Sequence, residues 1–475
     1  MLIVLLIGIP LFGGLAAMLM RDKAANMMAL LASLAVLVIS FLGYQSFHGG
    51  AGIEFSQPWL PSLGAYFSLS LNDGLSVLMV LLTAIIFPII FINQLNKPVE
   101  NPGTFFGLML FALAGLMGVF LAKDALLFYI FWELALIPVY FLSSMYGGPR
   151  RIPVTFKFFV YTFAGSLVML IAMLYLYQQT PIHSFGWDSF VSVGKSLDGH
   201  TQTWLFWMMF IAFAIKMPVF PFHTWQPDAY EQSATPVTIV LSAIMVKMGL
   251  FAVVRWLLPV LPDASKHWMD VVMLMSVGGI IYASCIALVQ TDIKRLIAYS
   301  SIAHIGLMCA AIFSHQILGM QGVAIQMFNH GINIMGLWIL VSILENRLQT
   351  RDMNEMGGIA KVAPGFTVAL VLVSLANIAL PLTNGFVGEF IMFNGLFKSV
   401  STYHIVFTVG AGLGVILSAV YTLRMIQKVA LGELKERTKS FVDLSQNEWI
   451  VMILIILIIL VLGIYPKFLM QMVNV

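Results

Sequence analysis

Long apolar runs constrain this chain more than any other feature of its sequence. Hydrophobic residues make up 60% of its 475 residues, whereas charged residues make up only 9%. A soluble domain carries about 45–50% apolar and about 25% charged residues, and one bilayer crossing needs about 20 apolar residues. This composition excludes a soluble enzyme, a nucleic-acid-binding protein and a disordered scaffold. It predicts an all-α polytopic membrane protein in contact with the lipid bilayer.

Glycine, proline, asparagine and charged residues divide the apolar material into about fourteen transmembrane helices. These helices are predicted at residues 2–20, 27–46, 72–94, 103–121, 125–145, 154–177, 203–222, 236–258, 269–289, 295–314, 318–344, 365–395, 404–427 and 448–466. Two connections are long, at 47–71 and 178–202, but neither is long or apolar enough to form a separate domain. The whole chain, 1–475, is therefore predicted to be a single integral membrane domain. The N-terminal run lacks a positively charged n-region and is interpreted as a retained first helix rather than a signal peptide.

Basic residues are distributed unequally between the two sides of the predicted membrane domain. With fourteen helices, about sixteen lysines and arginines lie in connections on one side and about six on the other. Because cytoplasmic loops carry the excess of basic residues, both termini are predicted on the periplasmic side of a bacterial inner membrane. The bacterial assignment depends on the lack of a presequence.

Two of the predicted helices contain helix-breaking residues. The seventh reads FAIKMPVFPFHTW, with Pro218 and Pro221, and the twelfth reads ANIALPLTNGFVGEF, with Pro381. Proline removes a backbone donor and clashes with the preceding turn, and in lipid such a break persists only where protein buries it or it lines a wet cavity. Two discontinuous helices five apart indicate two inverted five-helix repeats, at about 103–258 and about 269–427, with a site near the midplane.

Four charged residues lie at least six residues from either end of a predicted helix: Glu133, Lys216, Lys247 and Glu389. An ionised group at mid-bilayer costs at least about 2.5–3.5 kcal/mol, so such a residue is by default functional. The alternatives are a protonated, hydrogen-bonded Glu133, lysines that snorkel to the interface, and a Glu389 that faces water at a helix end. A buried lysine releases its proton readily, and a nearby carboxylate opposes that release. A Glu133–Lys216 pair that forms and breaks would therefore act as a proton switch.

Two histidines, His304 and His330, lie within the tenth and eleventh predicted helices among serines and asparagines. A lone buried histidine usually serves packing, but two on successive helices indicate a hydrated polar axis between the lysines and Glu389. Three further polar residues, predicted near the cytoplasmic interface, either gate proton entry or cap helices: His223, Asp228 and Glu231.

The sequence contains no recognisable cofactor or metal motif. Its only cysteines, Cys285 and Cys309, are too few for an iron–sulfur cluster, which needs about four thiolates. No glycine-rich nucleotide motif opens a helix. Any redox cofactor would have to be a haem or a quinone, or belong to another chain.

Five separated motifs resemble those of the antiporter-like membrane subunits of respiratory complex I, the NADH:quinone oxidoreductase. In chain order they are WELALIPVYFL, IKMPVFPFHTWQPDAY, ATPVTIVLSAIMVKMG, DIKRLIAYSSIAHIG and NGFVGEF. The resemblance extends from about the third predicted helix to the fourteenth. In that family the glutamate of WEL pairs with the lysine before MP, and a second lysine and histidines continue a proton path. The resemblance therefore implies proton-transfer roles for Glu133, Lys216, Lys247, His304 and His330.

Glu389 resembles the chain M type of that family, subunit 4 in mitochondria, because the other types place a lysine on the twelfth helix. The resemblance implies a proton-translocating subunit that is driven by electron transfer elsewhere, with Glu389 near the proton exit. NADH, FMN, iron–sulfur clusters and quinone are then expected in partner subunits, with no cofactor in this chain. The expected partners are other membrane subunits of complex I, including homologous antiporter-like chains, and no nucleic acid.

Four alternatives remain open at this point. Subunits of a multi-chain Na⁺/H⁺ antiporter or of a hydrogenase-linked membrane complex would share these motifs. A haem-bearing cytochrome would use His304 and His330 as axial ligands, although the sequence has no paired histidines on common helices. A purely structural anchor would have little reason to bury lysine and glutamate.

Overall fold

The computed structural model describes residues 1–95 and 97–473, and helices make up most of this part of the chain. The helices of the first half are α1 (Leu2–Met18), α2 (Asp22–His48), α3 (Gly74–Asn93), α4 (Pro102–Leu121), α5 (Ala125–Tyr146), α6 (Arg151–Gln179), α7 (Trp187–Ser196), α8 (Gly199–Lys216), α9 (Gln226–Gln232) and α10 (Thr235–Val260). The helices of the second half are α11 (Pro262–His267), α12 (Met269–Val289), α13 (Ile293–Ile312), α14 (Ile317–Leu348), α15 (Pro364–Asn377), α16 (Asn384–Phe397), α17 (His404–Val429), α18 (Gln446–Ile464) and α19 (Lys467–Val473). The two strands are β1 (Ile53–Leu60) and β2 (Ala65–Leu71).

Each of the fourteen predicted apolar segments corresponds to a helix, or to helices on both sides of a break. Eleven of the described helices are long and apolar enough to cross a membrane. α1 has only 17 residues, and the predicted seventh and twelfth segments are interrupted. The polytopic helical architecture is thus confirmed, whereas the number of fourteen crossings stays a prediction.

Aspartates begin four of these helices. The carboxylates of Asp73, Asp124, Asp198 and Asp292 accept first-turn backbone N–H groups of α3, α5, α8 and α13, respectively. First-turn N–H groups have no partner within their own helix, and an aspartate at this position supplies one. These four aspartates therefore fix the residue at which each of the four apolar helices begins.

Both predicted helix breaks are present. After α8 ends at Lys216, the chain turns through residues 217–225 before α9 begins. After α15, residues 378–383 form the second break, where Ala379 and Leu382 have φ angles of 58° and 74°. The pairing of these breaks in two inverted five-helix repeats stays a prediction.

The first long connection, 47–71, was predicted as a loop but contains a β-hairpin. Its strands are antiparallel, with Ile53 opposite Leu71, and the turn passes through Gly64, which has a φ of +59°. The hairpin is held against the start of α5, because the Tyr66 N–H donates to Asp124 Oδ2 over 3.0 Å. The second predicted loop, 178–202, contains the short helix α7.

The second half of the chain supplies the most deeply buried helix. The apolar window of α14 is 100% buried and that of α10 is 94% buried, whereas those of α17 and α18 are only about one third buried. α10 and α14 therefore form the centre of the molecule, and α17 and α18 present apolar side chains outward, as expected for a surface that faces lipid.

Glycines allow α16 to approach α14 closely. A Cβ atom on Gly388 would lie 2.4 Å from Gln326 Oε1, and one on Gly395 would lie 2.4 Å from the Cα atom of Gly319. Small residues at such crossings let helix backbones approach in membrane proteins. This contact fixes the position of Glu389, which lies on α16 between the two glycines.

Candidate functional site

Lys247 lies at the centre of the molecule, on α10, and none of its surface is exposed. Its Nζ atom donates to the Ser242 carbonyl over 2.7 Å and lies 2.9 Å from His330 Nδ1. Residues Val240–Met245 form a π-helical turn just before Lys247. Such turns interrupt the regular hydrogen-bond ladder and are frequent at functional sites. Here the carbonyl that accepts from Lys247 belongs to this turn.

His330 and His304 continue from Lys247 as a row of ionisable groups. The two imidazole rings, on α14 and α13, have centroids 5.4 Å apart. His304 Nδ1 then lies 3.2 Å from Glu389 Oε1 on α16. All four residues of the row are at least nine-tenths buried. Four helices thus place Lys247, His330, His304 and Glu389 side by side in the interior.

Polar side chains from two further helices surround His304. Asn377 Nδ2, at the end of α15, lies 3.3 Å from Ser300 Oγ and 3.5 Å from His304 Nε2. Tyr421, on α17, donates its hydroxyl to Ser300 Oγ over 3.0 Å. A small cavity of about 20 Å³, which is room for one water molecule, borders His304, Glu389 and Tyr421.

Asparagine side chains satisfy the backbone at the second break. Asn329 Nδ2, on α14, donates to the Asn384 carbonyl over 2.7 Å, and Asn384 Nδ2 donates back to the Asn329 carbonyl over 3.5 Å. Asn333 Nδ2 donates to the Ala376 carbonyl over 3.1 Å. A break inside a membrane domain needs such partners, because lipid offers none.

Lys216 and Glu133 lie apart from this row and make few polar contacts. Lys216 Nζ is buried without a hydrogen-bond partner among the described residues. It lies 5.5 Å from the ring centroid of Trp132, the residue before Glu133. In the part of the chain that the structure describes, no ion pair within 4.0 Å joins Glu133 to Lys216. The close pair predicted from the sequence is therefore open in this structure, and Ser166 is the polar neighbour of the carboxylate.

Of the three polar residues predicted near the cytoplasmic interface, Asp228 and Glu231 lie in one charged cluster and His223 lies elsewhere. Glu231 on α9 accepts from Arg150 over 3.1 Å, from Arg295 over 2.8 Å and from Arg351 over 3.2 Å. Burial raises the pKa of Glu231, but the hydrogen bond from Arg295 and the charge of Arg351 outweigh burial and leave the pKa below its ordinary value. Asp228 belongs to the same cluster, since Arg295 also donates to it over 3.1 Å.

His223 does not join this cluster. Its ring packs between Phe220 and Tyr282, with centroids 5.7 and 5.2 Å away. At the edge of the cluster, Lys294 on α13 and Glu345 on α14 form an ion pair of 2.6 Å. The cluster therefore connects α9 to the ends of α13 and α14 that lie on the same side.

Sequence reasoning missed two polar residues of the site, Asn377 and Tyr421. Tyr421 is 121 residues from its partner Ser300, and Asn377 is 73 residues from His304. The available signal was the position of Asn377, which is a polar residue in an apolar helix directly before a break. No comparable signal distinguishes Tyr421 from a tyrosine that packs in the core.

The chain matches the family described as NADH:quinone oxidoreductase/Mrp antiporter, transmembrane, over residues 122–416. The matched range contains all six residues predicted to transfer protons. It also covers more than half of the chain.

Relatives named NADH-quinone oxidoreductase subunit M are similar over most of their length. Those of Rickettsia typhi and Escherichia coli strain K12 are each 37% identical, over 410 and 425 residues, which is 86% and 87% of this chain and 82% of each relative. The relative from Rhodobacter capsulatus is 36% identical over 465 residues, 94% of this chain and 88% of that protein.

Two solved structures have similar chains. One is respiratory complex I from Thermus thermophilus with bound NADH, with a TM-score of 0.89 and 29% identity over 100% of this chain and 98% of that chain. The other is the Mrp complex from Dietzia sp. DQ12-45-1b, with a TM-score of 0.87 and 22% identity over 100% of this chain and 51% of that chain. The second likeness shows the fold alone. The family match and the identity to relatives together establish that this chain belongs to the NADH:quinone oxidoreductase/Mrp antiporter family of membrane proteins.

Proposed function

We propose that this chain is a proton-translocating membrane subunit of an NADH:quinone oxidoreductase, the enzyme that the names of its relatives give. Redox chemistry in partner subunits, which would hold NADH, FMN, iron–sulfur clusters and quinone, drives the translocation. Other membrane subunits, including homologous antiporter-like chains, lie beside it in a bacterial inner membrane. Both termini face the periplasm in this proposal, because the connections on the other side carry the excess of basic residues.

The row Lys247–His330–His304–Glu389 is the observation that carries this proposal. Lys247 lies 2.9 Å from His330 and His304 lies 3.2 Å from Glu389, so a proton transfer at either end needs no rearrangement of the backbone. The step between the imidazoles, whose centroids are 5.4 Å apart, requires a direct ring contact or one bridging water. A proton therefore moves from Lys247 through both imidazoles to Glu389.

Buried polar atoms near this row support a hydrated path. Around the row and the second break, the side-chain oxygens of five amides are buried without a hydrogen-bond partner among the described residues: Gln326, Asn329, Asn333, Asn377 and Asn384. Buried polar groups are paired with protein or with ordered water. Water on these atoms would connect the row along α14 and the second break.

Lys216 and Glu133 control the first part of the path in this proposal. Lys216 Nζ finds no hydrogen-bond acceptor in the described part of the chain while the pair is open, so no hydrogen bond there stabilises its charged form. Closing the distance to Glu133 would favour the ammonium form, by about tenfold for each 1.4 kcal/mol of interaction gained. A signal from a neighbouring subunit that opens or closes the pair therefore moves the proton between Lys216 and Lys247.

The alternatives predict different partners or spectra. A chain of the Mrp complex shares this fold. If this chain were a subunit of a Na⁺/H⁺ antiporter or of a hydrogenase-linked complex, it would purify without an NADH:quinone oxidoreductase. For a cytochrome, His304 and His330 would have to lie on opposite faces of a haem. Their centroid separation of 5.4 Å, with Lys247 against one ring and Glu389 against the other, favours proton transfer over that geometry.

Proton pumping by the purified, reconstituted complex tests the proposal. NADH oxidation would be measured together with acidification of the proteoliposome interior. We expect Lys216→Ala, Glu133→Ala and Lys247→Ala each to abolish most of this subunit's pumping. Lys195→Ala, at an exposed lysine of α7, is the matched control and should pump normally. Normal pumping by all three interior variants would contradict the assigned roles, and co-purification without NADH dehydrogenase subunits would contradict the assigned complex.

A further inference from the structure

Asn377 occupies a position that can control the proton arrangement of His304. It is the last residue of α15, directly before the second break, and is 5% exposed. Its side-chain nitrogen reaches Ser300 and His304, which lie one turn apart on α13. One amide therefore touches the imidazole and also a hydroxyl that belongs to the same helix face.

The contact with Glu389 limits the tautomers of neutral His304. An ionised carboxylate only accepts hydrogen bonds, and a neutral imidazole has one donor and one acceptor nitrogen. Because His304 Nδ1 lies 3.2 Å from Glu389 Oε1, Nδ1 carries the hydrogen when Glu389 is ionised. Nε2 is then the acceptor and needs a donor, and the nitrogen of Asn377 lies 3.5 Å from it.

Two neighbouring residues fix the direction of this amide. Ser300 Oγ accepts from the Tyr421 hydroxyl over 3.0 Å and from Asn377 Nδ2 over 3.3 Å, so both acceptor sites of the hydroxyl are used. Reversing the amide would bring its oxygen against the lone pair of His304 Nε2. Asn377 Oδ1 has no hydrogen-bond partner within the described chain. No protein contact of this oxygen therefore opposes the observed orientation of the amide.

We propose that Asn377 is a positioning residue that holds neutral His304 in the tautomer with Nδ1–H directed at Glu389. This inference rests on the proposed relay. In that relay an incoming proton binds Nε2 while the Nδ1 proton passes to Glu389 Oε1, so the imidazole gains one proton and loses one. A protonated Nε2 requires an acceptor, and the amide then turns so that Oδ1 faces the ring. The cycle closes when water in the cavity beside His304 takes the proton from Nε2 and gives one to Nδ1, and the amide then turns back to face the unprotonated Nε2.

Solid-state NMR of the purified complex labelled with ¹⁵N-histidine measures the tautomer directly. The His304 signals are assigned by their loss in His304→Gln. We expect wild-type His304 to carry its hydrogen on Nδ1. Loss of one hydrogen bond in Asn377→Leu should shift the tautomer ratio towards Nε2–H by about threefold to tenfold. Asn377→Asp, which has the same shape but only acceptor oxygens, should add a hydrogen on Nε2 and so give an imidazolium between two carboxylates, and this variant still tests the proposal if the leucine variant does not assemble.

Asn333→Leu is the matched control, because Asn333 is equally buried and bonds the same end of α15 without touching His304. It should leave the His304 tautomer unchanged. Wild-type tautomer signals in both Asn377 variants would overturn the positioning role. The tautomer is measured without turnover, so the positioning role of Asn377 and the relay through His304 are tested independently. A shifted tautomer with normal pumping would support the positioning role and contradict the relay.

Discussion

At the scale of single residues, the two buried lysines have opposite surroundings. Lys247 Nζ has a carbonyl oxygen and an imidazole nitrogen within 2.9 Å, whereas Lys216 Nζ has no hydrogen-bond partner among the described residues and lies 5.5 Å from the ring centroid of Trp132. A cation over an aromatic ring is attracted to it, but more weakly than a hydrogen-bonded ammonium group. The surroundings of Lys216 therefore stabilise its ammonium group less than those of Lys247 do, as expected for a group that gains and loses a partner.

Replacing Lys216 by methionine should stabilise the subunit. An unpaired buried polar group costs about 1–3 kcal/mol, and methionine fills a similar volume without that cost. We expect Lys216→Met to raise the temperature at which the subunit aggregates in the detergent-solubilised complex. Lys195→Met, at an exposed site, should leave this temperature unchanged. A lower aggregation temperature for Lys216→Met would show that the ammonium group has a partner in the folded protein.

The sequence was sufficient to single out the six ionisable residues, since a charge or a histidine inside an apolar run is visible without a structure. Their arrangement was not predictable. The contacts of His304 come from residues 26, 73 and 85 positions away in the chain, and these depend on how four helices cross. The open state of the Glu133–Lys216 pair likewise depends on side-chain conformations that no sequence pattern records.

At the scale of elements, helices were predicted well and the hairpin was missed. Apolar runs of about 20 residues have few alternatives to a helix in lipid. The hairpin strands alternate apolar and polar residues, as in Ile53-Glu54-Phe55-Ser56, but Pro58 lies within the first strand and argues against an interior strand. Its position depends on Asp124 and Lys123, which bind it from the start of α5.

The close contact between α14 and α16 should not tolerate a larger residue. A methyl group at Gly395 would meet the backbone of Gly319 at 2.4–2.5 Å, and such overpacking costs about 1–3 kcal/mol. We expect Gly395→Ala to lower the thermal stability of the subunit and to reduce pumping, because α16 carries Glu389. Gly412→Ala, on α17, is the control, since no described residue outside its own helix turn lies within 4 Å of the added methyl group. Equal stability of both variants would contradict the packing described here.

At the scale of the whole molecule, one side carries a dense cluster of charges that joins distant parts of the chain. Glu231 lies 81 and 120 residues from Arg150 and Arg351, which both donate to it. The sequence predicted an excess of basic residues on this side. It did not predict that three arginines would form ion pairs with a single buried carboxylate. The cluster links α9, which follows the first break, to the helices that carry both histidines.

Acid should weaken this cluster through Glu231. Its pKa in the folded protein lies below the ordinary value of 4.5, so the ionised carboxylate stabilises the fold at neutral pH. That contribution is lost as the pH falls from about 4.5 through the folded-state pKa. We expect Glu231→Gln to be less stable than wild type at pH 7, by about 1–3 kcal/mol, and to lose less stability than wild type on acidification. Thermal aggregation at pH 7 and pH 4 measures both effects.

Glu355→Gln is the control for this prediction, because Glu355 and its partner Arg437 are both exposed. An exposed pair contributes at most about 1 kcal/mol. Identical acid sensitivity of wild type and Glu231→Gln would show that Glu231 is already protonated in the folded protein.

The predicted orientation can be tested by labelling cysteines from outside the cell. Ser62, in the turn of the hairpin, and Ser440, in the connection before α18, are both exposed. The predicted fourteen crossings place these two connections on opposite sides of the membrane. With Cys285 replaced by alanine, a membrane-impermeant maleimide should label Ser62→Cys in spheroplasts and label Ser440→Cys only after permeabilisation. The reverse pattern would place both termini in the cytoplasm.

The ion pair between Lys294 and Glu345 joins α13 and α14 near one end, so that the two helices could pivot about this point. The pair closes one end of the two helices, and His304 lies ten residues along α13, about 15 Å from that end. A change of about 4° between the helix axes would then move the imidazoles apart by about 1 Å. In the proposed relay, a force on the Lys294–Glu345 pair would therefore change the distance between the two imidazoles. Comparing the ring separation in complexes trapped with and without substrate would measure this change.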